Sequence, residues 1–284
     1  MKGNRFLWLL SFSLGFLFIG NNSVYAQFEY QDFTYNKQSI KERKVVPYPV
    51  LIERDVLFSR RIYRVIDTRE KMNMVMKWPR NPLYRIIYDA AIKGYGGAPI
   101  PAYQNDSLTS VITAEDIIKK GGSETTTQVN IDRNDPNSEL VDTVIRNEFR
   151  PSDIKRYLLM EDWIFDKQTS QFFIRIIAIA PMFEMQAAGL TLPEMPLFWV
   201  KWSDLRPVLV NQEIFNRHND AMRFSYDDFF EQRVFSSYII QEPNVFDNRI
   251  SDFEEFKADK FSALLESEKI KNKLFEWEHD LWEW

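Results

Sequence analysis

RDVLFSRRIYRVIDTREKMN (residues 54–73) packs five arginines and a lysine among apolar residues, in a chain whose formal charge is −5. At about 100° per residue it divides cleanly. Phe58, Ile62, Val65, Ile66 and Met72 share one side, and Arg60, Arg61, Arg64 and Lys71 share the other, with Asp67 among them. The spacing predicts an amphipathic helix with a basic outer face. That face could meet a nucleic acid, a membrane or a protein surface, and the choice depends on where the chain resides.

The first residues bear on that choice. Lys2 and Arg5 precede a 14-residue apolar run, Phe6 to Ile19, shorter than the ~20 residues of a membrane-spanning helix. Val24 and Ala26 then sit where a signal peptidase reads small residues. The pattern predicts a secretory signal peptide over residues 1–26, a mature chain from Gln27, and an exported protein with no membrane span of its own and no nucleic-acid partner. Removing Lys2 and Arg5 shifts the formal charge from −5 to −7, because residues 1–26 hold no acids. There is no cysteine. Disulfides, thiolate metal sites, cysteine nucleophiles and a lipid at the cleavage point are all excluded. A mature chain of this length holds a sufficient apolar core without them.

The remainder reads as α+β: helices flanking a central, mainly antiparallel sheet, an extended N-terminal arm and a helical C-terminal tail. The arm is 27–50, ending in Pro47-Tyr48-Pro49. A core domain over 51–245 and an acidic tail over 246–284 follow. Asn81-Pro82 opens a helix through Ile92 that closes at Gly94. Thr113 to Asp116 resembles a capping box before a helix ending at Gly121-Gly122. Residues 123–138 read as a loop, Val141 to Ile145 as a strand and Asp153 to Met160 as a short helix. Trp163 to Phe165, a polar turn and Gln171 to Ala180 form a hairpin. Leu197 to Trp202 is a further strand, and Ser225 caps a helix running to Ile240.

Chemistry-bearing patterns are sparse. His218 lies in a polar loop and His279 in the acidic tail, too far apart in sequence for a metal motif. Gly94-Tyr95-Gly96-Gly97 follows a helix and lacks the lysine of a phosphate loop, so it reads as a helix cap. Glu161 and Asp162 are adjacent, and in a strand adjacent side chains point to opposite faces, which suits no acid–base pair. No catalytic residue, metal ligand or cofactor site is expected, and the chain reads as no enzyme.

What remains is surface. Residues 54–71 carry a net +3, while residues 252–284 hold ten acids against five lysines. The terminal helix has two apolar stripes: Ile270, Leu274, Trp277 and Leu281 in one, Phe261, Leu264, Phe275 and Trp282 in the other. Either the tail folds back on its own domain or it binds a partner, with tryptophan and arginine the usual anchors of such contacts. The candidate interaction residues are Arg60, Arg61, Arg64, Lys71, Leu274, Trp277, Leu281 and Trp282.

The segment Glu53-x-Asp55-Val56-Leu57-Phe58-Ser59-Arg60-Arg61-Ile62-Tyr63-Arg64-Val65-Ile66-Asp67-Thr68-Arg69-Glu70-Lys71, followed by Asn81-Pro82-Leu83, resembles the gliding-motility GldN/PorN family. Ile154-Lys155-x-Tyr157, Glu161 to Asp166 and Phe198-Trp199-Val200 are similar too. The resemblance implies a non-enzymatic periplasmic subunit of the type IX secretion and gliding machinery of Bacteroidetes. It implies a ring formed by self-association with an outer-membrane lipoprotein of the GldK/PorK type, and contact with the periplasmic part of the inner-membrane GldM/PorM component. The competing expectation is a monomeric periplasmic binding protein or hydrolase of unknown substrate. Asp106-Ser107-Leu108 and Asp142-Thr143-Val144 also match the short O-glycosylation acceptor pattern of this bacterial group.

Overall fold

Val56 to Asp67 is a β-strand, and the amphipathic helix expected there does not form. The computed structural model describes residues 40, 43–95, 98–121, 123–130, 140–147, 154–184, 186–187, 190–191, 194–217, 219, 221–257 and 259–282. In chain order the elements begin with β1 (Val56–Asp67), α1 (Leu83–Ile92), β2 (Ala102–Tyr103), β3 (Val111–Ile112), α2 (Ala114–Gly121), β4 (Ser123–Asn130) and β5 (Leu140–Asn147). Next come β6 (Arg156–Asp166), β7 (Gln171–Phe183), β8 (Gln186–Ala187), β9 (Leu190–Thr191), β10 (Met195–Pro196), β11 (Trp199–Lys201) and α3 (Trp202–Leu209). The chain continues through β12 (Glu213–Ile214), β13 (Phe224–Ser225), α4 (Tyr226–Glu231), β14 (Tyr238–Gln241), α5 (Glu254–Lys257) and α6 (Lys260–Trp282).

Eight strands form one antiparallel sheet in the order β14-β1-β6-β7-β11-β2-β3, with β10 also on β7. The α+β reading holds. β1 pairs with β6 along nearly its whole length, Ile62 opposite Glu161 and Ile66 opposite Tyr157. The physical reason for the misread is that the inner half of β1 is buried on both faces. Ile62 and Ile66 alternate onto one face and Val65 onto the other, so the apolar residues at 62, 65 and 66 imitate a helical period. The expected helix over 153–160 fails the same way: Tyr157 to Met160 is a continuous apolar run inside β6, buried on both sides.

Three clusters fill the interior. On one face Ile66, Leu159 and Ile179 pack against Ile87 of α1, Leu205 and Leu209 of α3 and Phe229 and Phe230 of α4. On the same face, towards the outer end of β1, Ile62, Trp163 and Ile239 meet Ile270 and Leu274 of α6. The opposite face holds Val65, Leu158, Met160, Trp199 and Tyr103.

Local signals set most boundaries. α1 starts at Leu83, with Pro82 as its cap, one residue later than expected; Asn81 instead donates from Nδ2 to Gln212 Oε1 (3.1 Å) and to the Glu213 carbonyl (2.9 Å). Gly94 has φ +82°, and a Cβ there would lie 2.4 Å from the Ala98 carbonyl, so only glycine fits. Ser225 and Asp228 form the expected capping box, but α4 stops at Glu231 and the chain returns as β14. Its end is a Schellman motif: the Val234 N–H donates to the Phe229 carbonyl (3.0 Å) and the Arg233 N–H to the Phe230 carbonyl (3.2 Å). The turn position is Arg233, at φ +53°, where glycine is usual. The segment read as a loop over 123–138 starts instead as β4, which forms a hairpin with β5 in register from Ser123–Asn147 to Asn130–Leu140. Edge strand β14 is closed by α6, whose Ser267 Oγ accepts the Ile239 N–H at 2.8 Å.

Candidate interaction surface

The strand places the basic residues of β1 in three different settings. Arg61 is bound across the ladder to Asp162 by two bonds, Nε–Oδ1 2.8 Å and Nη2–Oδ2 3.0 Å. Arg60 pairs with Glu242 at 3.3 Å. Arg64 is buried and donates to Ser237 Oγ (3.0 Å) and the Ser237 carbonyl (3.3 Å). Arg60 and Arg64 thus hold β1 to the segment around β14 and Arg61 ties it to β6, and no continuous basic helical face exists. Lys71 is exposed, and its carbonyl accepts from Arg217.

At the inner end of β1, Asp67 accepts from the Arg69 N–H (2.9 Å), Arg69 Nε (3.0 Å) and Arg156 Nε (3.0 Å); Arg156 also reaches Glu194 at 2.6 Å. Burial raises the Asp67 pKa, but the bonds from Arg69 and Arg156 outweigh it and hold the carboxyl well below its ordinary range. A depressed folded-state pKa contributes stability that is fully present above the unfolded value of about 4 and is lost as pH falls through the folded value. Asp67→Asn should therefore lower stability at neutral pH and flatten its decline below about pH 4. Urea unfolding at about pH 7 and about pH 3 checks this, and parallel acid profiles for both proteins would refute it.

The described end of the N-terminal arm is clasped to α3 and α4. Tyr48 lies between two guanidiniums, Arg175 at 3.9 Å and Arg206 at 4.0 Å from its ring centre, and its hydroxyl donates to Glu231. Burial and the Glu231 carboxylate push its pKa up to about 12. Arg206 also donates to Asp227 Oδ1 (2.8 Å) and to the Val46 carbonyl (2.8 Å), and Arg43 pairs with Asp228.

α6 separates its two stripes. Ile270 and Leu274 are buried, Leu274 with only 3 % exposure, so this stripe packs on its own sheet. Trp277 flanks it, 41 % exposed, its ring 4.8 Å from Phe58. The side chains of Leu281 and Trp282, and His218, lie outside the described residues. Phe261 (65 % exposed), Leu264, Leu265 and Phe275 (51 %) fall within about 100° of arc on the opposite side and face outward. Beside them a largely apolar groove of about 610 Å³ runs between α6 and the sheet, lined in part by Met182, Tyr238, Ile240 and Leu264. Leu265 escaped the sequence reading, although its spacing from Phe261 was the available signal. Ser107 is exposed on the loop after β2, and the side chain of Thr143 lies outside the described residues.

Among the described residues, no three His, Asp or Glu side chains converge as a metal ion requires. No described helix is long and apolar enough to cross a membrane. A family model described as gliding motility associated protein GldN matches residues 51–283. No curated protein matches the chain. With its sheet, β1 arginines and α6 all inside the matched region, the chain belongs to the GldN family, a component of gliding motility and type IX secretion.

Proposed function

We propose that the chain is a non-enzymatic, periplasmic structural subunit of the type IX secretion and gliding machinery. In this reading it forms a ring-like assembly with an outer-membrane lipoprotein of the GldK/PorK type and contacts the periplasmic part of the GldM/PorM motor component. The observation that carries it is the outward stripe Phe261-Leu264-Leu265-Phe275 on a helix already anchored by its other side. Exposed large apolar side chains gathered on one helix face mark a protein contact. Family membership supplies the machinery in which that contact is made.

The test is to express the tagged full chain in its native host, solubilise the envelope in detergent and identify what co-purifies. The expected result is a large assembly containing the lipoprotein and the motor component. A solitary monomer would overturn the proposal and favour a periplasmic binding protein.

A further inference from the structure

A second apolar feature lies away from α6. Met72, Val75, Phe215, Met222, Phe224 and Phe229 line a cleft of about 300 Å³. Met72, Phe215 and Met222 are each exposed, and methionine side chains adapt readily to an inserted ring. The rim is basic. Lys71 and Arg217 sit together at one edge, joined through the Lys71 carbonyl. Trp78 packs on Phe215 with ring centres 6.1 Å apart, and Arg80 lies 5.9 Å from the Trp78 ring centre. Among the described residues, none of Lys71, Arg80 and Arg217 forms an ion pair, whereas Arg60, Arg61, Arg69 and Arg156 all do. Among the described residues, the cations at this cleft are thus open to an outside carboxylate, whereas Arg60, Arg61 and Arg64 of β1 are held by partners in their own chain.

The same chain carries a segment of matching chemistry. Phe275-Glu276-Trp277-Glu278-His279-Asp280-Leu281-Trp282-Glu283-Trp284 contains four carboxylates and four aromatic residues and no lysine or arginine. Phe275 and Glu276 are exposed on α6. In its own chain α6 is held by Ile270 and Leu274 against Ile62 and Ile239, so it is not the occupant of its own cleft.

We propose that the Met72–Phe215–Met222 cleft receives the outer face of α6 from a second copy of the chain, with Phe275 inserted and Glu276 against Lys71 and Arg217. The two patches differ, so the contact is heterologous, and repeating it generates a ring or filament. The inference rests on the structural-subunit reading above and names the surfaces through which copies meet.

The absence of native cysteine makes the test direct. Full-length Met222→Cys and Phe275→Cys variants are purified, mixed and mildly oxidised. The expected product is a mixed disulfide dimer, in several-fold excess over that from Met222→Cys mixed with Phe261→Cys. In parallel, Met222→Glu should weaken self-association at least tenfold with an unchanged circular dichroism spectrum. Lys71→Glu with Arg217→Glu should weaken it roughly three- to tenfold at low salt and less at high salt. Glu276→Lys in the second chain should restore part of that loss. Preparations that still assemble but give no preferred Met222–Phe275 crosslink and resist Met222→Glu overturn this inference alone. A chain that neither self-associates nor captures envelope proteins overturns both it and the proposed function.

Discussion

Ile270→Ala combined with Leu274→Ala should cost most of the stability of this chain, about 2–5 kcal/mol for each truncation. Both side chains are buried in the cluster with Ile62, Trp163 and Ile239. Truncation removes their transfer free energy and leaves a cavity that a sheet-bound helix cannot easily close. The effect should spread beyond α6, because Ser267 on the same face satisfies the Ile239 N–H. Freeing the helix exposes the β14 edge and invites aggregation. Phe261→Ala with Phe275→Ala should behave in the opposite way. Those rings are more than half exposed, so unfolding in urea should shift by no more than about 0.5 kcal/mol. Partner capture should fall at least tenfold, the scale of a hot-spot loss near 2 kcal/mol. The comparison separates folding from binding on one helix. If the outer pair destabilises as much as the inner pair, the outer stripe is core and α6 offers no docking face.

How far the sequence carried depended on how local each signal was. The Asn81-Pro82 start, the Gly94 stop, the Ser225 capping box and the turn between Trp163 and Gln171 were readable because each is decided by a few neighbouring residues. β1 was not, because its arginines are placed by residues distant in sequence: Asp162 for Arg61, Glu242 for Arg60 and Ser237 for Arg64. Without those partners a strand buried on both faces is indistinguishable from a helix by periodicity. The two stripes of α6 were legible as stripes, yet which one packs inward is set by where β14 lies. The cleft at Met72 and Met222 was invisible, since its lining comes from segments some 150 residues apart that only the tertiary fold brings together.

Arg233 explains why α4 stops short of the helix expected through Ile240, and it carries the second large effect. Arg233→Gly should destabilise the chain by about 1–4 kcal/mol, although glycine is the residue its backbone favours. At φ +53° a non-glycine residue costs roughly 1–2 kcal/mol, which the substitution would recover. Against this, Arg233 Nη2 donates to both oxygens of Glu161, at 2.9 and 3.0 Å, and Glu161 is fully buried in mid-strand. The Trp163 indole N–H adds a weaker contact at 3.3 Å. Removing the guanidinium leaves a buried carboxylate with no direct cationic partner, a loss of about 3–5 kcal/mol, and this term outweighs the relieved strain. Glu161→Gln introduced together with Arg233→Gly removes the stranded charge and should recover at least half of the loss, which a double-mutant cycle in urea measures. If Arg233→Gly alone stabilises the protein, the turn governs and the ion pair contributes nothing. If it destabilises and Glu161→Gln restores, the arginine occupies a glycine position because the sheet requires a cation over Glu161.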